Sequence, residues 1–311
     1  NCGHDVDKIK VLHTKQMKSG TLSPQIKGEV YMRARVLPVI LIVIATLLLL
    51  SICGESLVNN SAFYPLPGSR LDITALPDSI EHYYLESSDG VKLSAFYIPN
   101  PDANKTVMYF HGNAGNASQR LPIATALAKL RSNVLLVEYR GYGLSEGKPS
   151  EAGIYIDARA ALAFLVKQRG ITPDNIILLG RSLGSAPAID LALDHDFAGL
   201  ILVTPLSSGK DVAKNSGMGY LIPFIGDPFN NKDKIAELTI PILIIHGDSD
   251  EVLPLEMSLT LEKLAQSPTK MVIIPSAGHN NIVNDYEEIF YGHVKSFYDD
   301  VLGNSSETPE K

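Results

Sequence analysis

Gly180-Arg181-Ser182-Leu183-Gly184 follows the apolar run Ile176-Ile177-Leu178-Leu179 and leads into Ala186-Pro187-Ala188-Ile189-Asp190-Leu191-Ala192-Leu193. This places a G-x-S-x-G pentapeptide on a turn from strand to helix. A serine held on so sharp a turn is strained in its backbone, and bulky side chains two residues to either side would clash. Glycine at both flanks removes that clash. Ser182 is then expected to project its hydroxyl from the end of a sheet. The N-terminus of the following helix would face any negative charge that develops there. Ser182 is the candidate nucleophile.

Around this turn the apolar pattern alternates between two periods. Residues 80–86 and 91–98 read as strands joined by the turn Ser87-Ser88-Asp89-Gly90. Residues 106–110, 134–137, 176–179, 200–203, 240–245 and 270–274 read as strands, and 119–130, 151–168, 255–265 and 283–301 as helices. Strands alternating with helices predict an α/β fold. Its sheet is mostly parallel and twisted, with helices on both faces and an antiparallel N-terminal hairpin at one edge.

Several strand ends carry chemistry. His111-Gly112-Asn113-Ala114-Gly115 follows one strand. It suits a loop whose Asn113 N–H, together with that of Leu183, would stabilise an oxyanion. Taken alone it also suits a glycine-rich turn capping a helix. Arg140-Gly141-Tyr142-Gly143-Leu144-Ser145 follows the next strand and reads as a tight loop shaping the floor of the site. His246-Gly247-Asp248-Ser249-Asp250 offers two acids, one of which should orient a histidine. Of the eight histidines, His279 alone lies in a loop after the final strand, downstream of both serine and acid, and is the candidate base.

With these five segments in this order, residues from about 80 to 302 resemble the α/β-hydrolase superfamily. Within it they resemble the membrane-tethered, minimally capped members grouped with serine-aminopeptidase-like and prolyl-oligopeptidase-like hydrolases. The resemblance implies a Ser182, Asp250, His279 triad with an oxyanion hole at Asn113 and Leu183. Asp250 is preferred over Asp248 because the family's acid comes three residues after the glycine and just before a Val-x-Pro-like segment, here Val252-Leu253-Pro254. It also implies acyl transfer to water through an acyl-enzyme, with no cofactor and no metal. The expected substrate is a small-molecule or lipid-like acyl ester or thioester, or an acyl-protein. An aminopeptidase-like peptidase and a non-catalytic membrane-tethered scaffold are the alternatives. A peptidase would need a carboxylate for the substrate amine, and none can be identified in the sequence.

A small cap is expected at about 205–239. Its Met218, Tyr220, Leu221, Ile222, Pro223, Phe224 and Ile225 suit an acyl chain, or else pack on the core as a crossover helix. No cationic cluster in this segment marks a site for phosphorylated or acidic substrates. The substrate-binding residues and the oligomeric state cannot be read from the sequence.

The 311 residues are 45% hydrophobic with a net charge of −7, enough for a large core and against a nucleic-acid partner. Residues 1–53 hold 7 Lys/Arg against 3 Asp/Glu, and the remainder 20 against 31. Val36–Cys53 is apolar apart from Thr46 and Ser51, and Met32-Arg33-Ala34-Arg35 stands before it. This pattern predicts a signal anchor or signal peptide over 32–53, a membrane contact through 36–53, and an extracytoplasmic hydrolase. Secretion, or lipidation at Cys53, are lesser alternatives. Residues 1–31 read as a basic extension that is not native if Met32 is the start, or as a cytoplasmic tail. Residues 54–77 read as a tether, 78–303 as the hydrolase domain and 304–311 as a tail.

Overall fold

The computed structural model describes residues 36–46, 49, 54, 56, 58–66, 68 and 72–303. The chain divides into two units, residues 1–53 and 54–311. In the first, residues 36–46 are helical, a rise of about 16 Å where a bilayer core needs about 30 Å. Among the described residues no helix is long and apolar enough to cross a membrane. The transmembrane helix or signal anchor, the membrane contact through 36–53 and the extracytoplasmic placement expected from hydropathy are therefore overturned. Apolar composition gave the signal for a span, but the described helix does not have the length. Met32, Cys53, the basic extension 1–31 and the tail 304–311 lie outside the described residues.

The second unit is built on an eight-stranded sheet, in the order β1-β2-β4-β3-β5-β6-β7-β8. The strands are β1 (Glu81–Glu86), β2 (Lys92–Ile98), β3 (Lys105–Phe110), β4 (Ser132–Val137), β5 (Ile176–Arg181), β6 (Gly199–Val203), β7 (Ile242–Gly247) and β8 (Thr269–Ile274). β2 pairs antiparallel with β1 and β4, and every other pairing is parallel. The core lies on both faces and follows the two-residue period of a strand. Met108, Leu178, Leu202 and Ile244 join the cluster on one face, and Tyr109, Leu179, Ile201 and Ile245 join the other. With both faces covered, the central strands must be apolar throughout, which is why they read as unbroken runs.

The parallel strands end together, so the loops after β3, β5, β7 and β8 gather at one edge of the sheet. That edge is where ligands bind in open α/β sheets. The last helix, Glu287–Gly303, begins later than its sequence pattern predicts. Ile282 and Val283 instead pack into the core with Ala277, beneath the loop that carries His279.

Candidate active site

Ser182 follows β5 directly and has φ of 53°, in the left-handed region that non-glycine residues rarely enter. The two flanking glycines are needed for space. A Cβ on Gly180 would come within 2.5 Å of the Gly184 carbonyl oxygen, and one on Gly184 within 2.2 Å of the Phe110 carbonyl oxygen. The turn therefore closes only if both positions lack a side chain. Ser185 Oγ donates to the Ser182 carbonyl at 2.7 Å and fastens the turn to the helix Ser185–Ala192.

The loop after β8 brings His279 to this serine, with Nε2 3.0 Å from Ser182 Oγ. On its other side, Nδ1 lies 2.8 Å from Asp250 Oδ2. A carboxylate can only accept, so Nδ1 carries the proton and Nε2 is left to accept from the serine hydroxyl. Asp248 does not reach His279. Its Oδ1 accepts the Ser276 N–H at 2.7 Å, bracing the turn that leads into the histidine loop.

Asp250 is buried and heavily committed. Its Oδ1 accepts the N–H groups of Val252 and Leu253 at 2.9 and 2.8 Å. Its Oδ2 also lies 3.2 Å from His246 Nε2. His246 is fully buried between Ser258 Oγ on Nδ1 and the Leu253 carbonyl on Nε2. Burial alone would raise the Asp250 carboxyl, but hydrogen bonds from His246 and His279 outweigh it and hold the acid well below the usual carboxylate range. His246 reads in the sequence only as the end of a strand. Nothing local marks it as a support of the acid.

The loop after β3 is held from below. The His111 ring spans the Gly112 carbonyl (Nδ1, 2.7 Å) and Glu138 Oε1 (Nε2, 3.0 Å). Glu138 Oε2 accepts the Ala117 N–H at 2.9 Å, and the Tyr139 hydroxyl donates to the His111 carbonyl at 2.8 Å. Among the described residues, the backbone N–H groups of Asn113 and Leu183 have no protein acceptor. Asn113 Oδ1 accepts the Tyr142 hydroxyl and the Tyr64 N–H, each at 2.8 Å.

These loops open onto a cavity of about 540 Å³ that Ser182, Leu183, His279, Gly112 and Asn113 help to line. The cap region splits between the two roles its sequence allows. Residues 209–225 contribute Val212, Met218, Leu221 and Ile225 to the cavity wall. The helix Asn231–Ile235 packs down instead, with Asn231 and Ile235 fully buried. A second wall comes from the stretch that reads as a tether. Val58, Ala62 and Tyr64 line the cavity, and the Leu66 N–H donates to the Gly115 carbonyl at 3.1 Å. Arg120 and Arg181 also line it, cations from outside the cap that the sequence did not reveal as neighbours. No group of three or more His, Cys, Asp or Glu side chains among the described residues is placed to hold a metal ion.

The sheet order, the strained serine at the end of β5 and the histidine loop after β8 define an α/β hydrolase. The chain belongs to the α/β-hydrolase superfamily. Residues 101–226 match the family described as serine aminopeptidase, S33. Human alpha/beta hydrolase domain-containing protein 17B is 36% identical over 208 residues, covering 66% of this chain and 71% of that protein. An uncharacterized protein of Mycobacterium tuberculosis is 34% identical over 254 residues, covering 80% and 90%. Among solved structures, the Pyrococcus furiosus esterase Pf2001 matches in fold with a TM-score of 0.63 at 19% identity, over 76% of this chain and 98% of that one. An alpha-beta hydrolase from Vibrio vulnificus matches with a TM-score of 0.59 at 26% identity, over 69% and 81%.

Proposed function

We propose that this hydrolase cleaves an ester or thioester of an acyl chain through an acyl-enzyme on Ser182. The observation that carries this reading is the hydrogen-bonded line Ser182 Oγ, His279 Nε2, His279 Nδ1, Asp250 Oδ2, with each link at 3.0 Å or less. His279 would take the hydroxyl proton as Ser182 Oγ attacks the carbonyl carbon, and would hand it to the leaving oxygen or sulfur as that bond breaks. Water, activated by the same histidine, would then release the acid. Asp250 would hold the imidazole in its tautomer and offset its charge. The Asn113 and Leu183 N–H groups would receive the oxyanion, an effect worth roughly 3–4 kcal/mol for one donor.

The wall of the cavity favours an acyl substrate over a peptide amine. Aliphatic and aromatic side chains dominate the lining, and its charged members are Arg120 and Arg181. Among the described lining residues, no carboxylate could receive the ammonium group of a peptide N-terminus. A panel of 4-nitrophenyl esters set against aminoacyl-arylamides tests this directly. Turnover of the esters that is lost in Ser182→Ala is expected. Preferential turnover of the arylamides would make the protein a peptidase, and equal inertness to both panels would leave a scaffold.

A further inference from the structure

Arg120 and Arg181 have no carboxylate partner among the described residues, although both line the cavity. Arg181 is 8% exposed, yet its partners are neutral: Nη2 donates to the His279 carbonyl at 2.9 Å, and the buried Tyr109 hydroxyl lies beside it. Arg120 sends Nη2 to the Ala114 carbonyl at 2.9 Å. The Nε of each is buried with no hydrogen-bond partner. The Glu138 carboxylate, whose charge also acts on Arg120, is already committed to His111 and the Ala117 N–H. Elsewhere in the domain, buried or half-buried arginines are paired: Arg140 with Asp89 and Asp157, and Arg169 with Glu81. A buried cation and a half-buried one, each with a buried Nε that has no partner and neither with an anion, are costly unless a ligand supplies one.

We propose that Arg120 and Arg181 form an oxyanion-binding subsite of the cavity, so that the substrate carries a carboxylate or phosphate group as well as its acyl chain. The two side chains lie under different loops, Arg120 below the turn after β3 and Arg181 below the His279 loop. An anion there would sit where those loops meet, beside Ser182. A guanidinium presents several N–H donors in a plane that matches two oxygens of a carboxylate or phosphate. Burial pulls the Arg120 guanidinium down, assisted by the like charge of Arg181 and opposed by Tyr109 and by the Glu138 carboxylate. The apolar lining takes the chain and the arginines take the charge. Like the proposal of ester hydrolysis, this one places the scissile bond at Ser182, but the anion subsite does not depend on turnover.

The test therefore begins with binding. Full-length Ser182→Ala protein is titrated calorimetrically with decanoate, decyl phosphate and decanol. At least one anion is expected to bind about tenfold more tightly than the alcohol, the scale of a charge-assisted contact. The better anion identifies the group as carboxylate or phosphate. Ser182→Ala/Arg120→Gln should lose most of that preference, and Ser182→Ala/Arg120→Lys should keep part of it. Equal affinity for anions and alcohol in Ser182→Ala overturns the subsite, as does a preference that persists in Arg120→Gln. With Ser182 intact, the mono-4-nitrophenyl ester of suberic acid should be preferred over 4-nitrophenyl octanoate, and Arg120→Gln should reduce that ratio. A protein that selects the anions but turns over no ester would refute the hydrolytic reading and leave the anion subsite standing.

Discussion

The two walls of the cavity are built on opposite plans. One is a set of short loops at the carboxyl ends of β3, β5, β7 and β8, fastened by buried polar groups such as Glu138, His246 and Asp250. The other is the cap around 209–225 with the stretch 58–64, largely apolar and half-exposed, with Tyr220 72% and Phe224 46% exposed. The first wall is pinned by directional hydrogen bonds, as the proposed acyl transfer requires. The second offers apolar surface with few directional bonds and can set chain length without disturbing the chemistry. On the proposed function, the first wall carries reactivity and the second carries selectivity.

The largest effect belongs to the fastened wall. Asp250→Asn should present the wrong histidine tautomer and lower kcat by about 10⁴ for every ester, whatever its chain, by analogy with serine proteases. Asp248→Asn, which loosens only the Ser276 turn, should cost far less. Steady-state kinetics on short and long esters reads both, and the reverse ranking would break the assignment.

Next comes the scaffold beneath that wall. Arg140 Nη2 lies 2.8 Å from fully buried Asp157 Oδ1, and Arg140 also holds Asp89 in the turn between β1 and β2. Burial raises the Asp157 carboxyl, and the bonds and charge of Arg140 pull it back. Arg140→Leu leaves that acid uncompensated and should destabilise the domain by about 3–5 kcal/mol, read as a lower urea midpoint. A loss below 1 kcal/mol would show that the pair is dispensable.

A change in the apolar wall should be smaller and selective. Leu221→Ala should lower kcat/KM for long-chain esters by roughly tenfold, mainly through KM, and change short esters little. An equal loss on all chain lengths would erase the distinction between the walls.

The smallest expected effect is one of pH. Asp250 is depressed in the folded state, so its ionisation contributes stability above the unfolded carboxylate value near 3.9 and that contribution fades as pH falls below it. Between pH 5.5 and 3.5, wild type should lose about 0.7 kcal/mol more stability than Asp250→Asn. A difference independent of pH would mean that the acid is not held low.

The sequence revealed the fastened wall more readily than the apolar one. The strands appear as apolar runs because both faces of the sheet are covered, and each loop carries glycines that the turns require. Ser182 and His279 stand out because each lies just after such a run, whereas Asp250 and Asp248 both follow one strand and only the family resemblance, through the spacing from Gly247 and the segment Val252-Leu253-Pro254, favours Asp250. The arginine pair was hidden because Arg120 and Arg181 are 61 positions apart and come near each other only when β3 and β5 lie side by side. Residues 58–66 have the composition of a linker, and it takes their bonds to Asn113, Gly115 and Gly143 and the burial of Phe63 to make them a wall. Hydropathy misleads at residues 36–53: the apolar composition suggests a span, but the described helix over 36–46 is too short for one.

The most direct test of the central proposal is covalent. Full-length protein treated with a fluorophosphonate, digested and mapped by mass spectrometry should carry one phosphonyl group, on the peptide containing Ser182. Labelling should vanish in Ser182→Ala and become very slow in His279→Ala. No adduct on the folded wild-type protein, or an adduct on another residue at the same rate, would contradict Ser182 as the nucleophile.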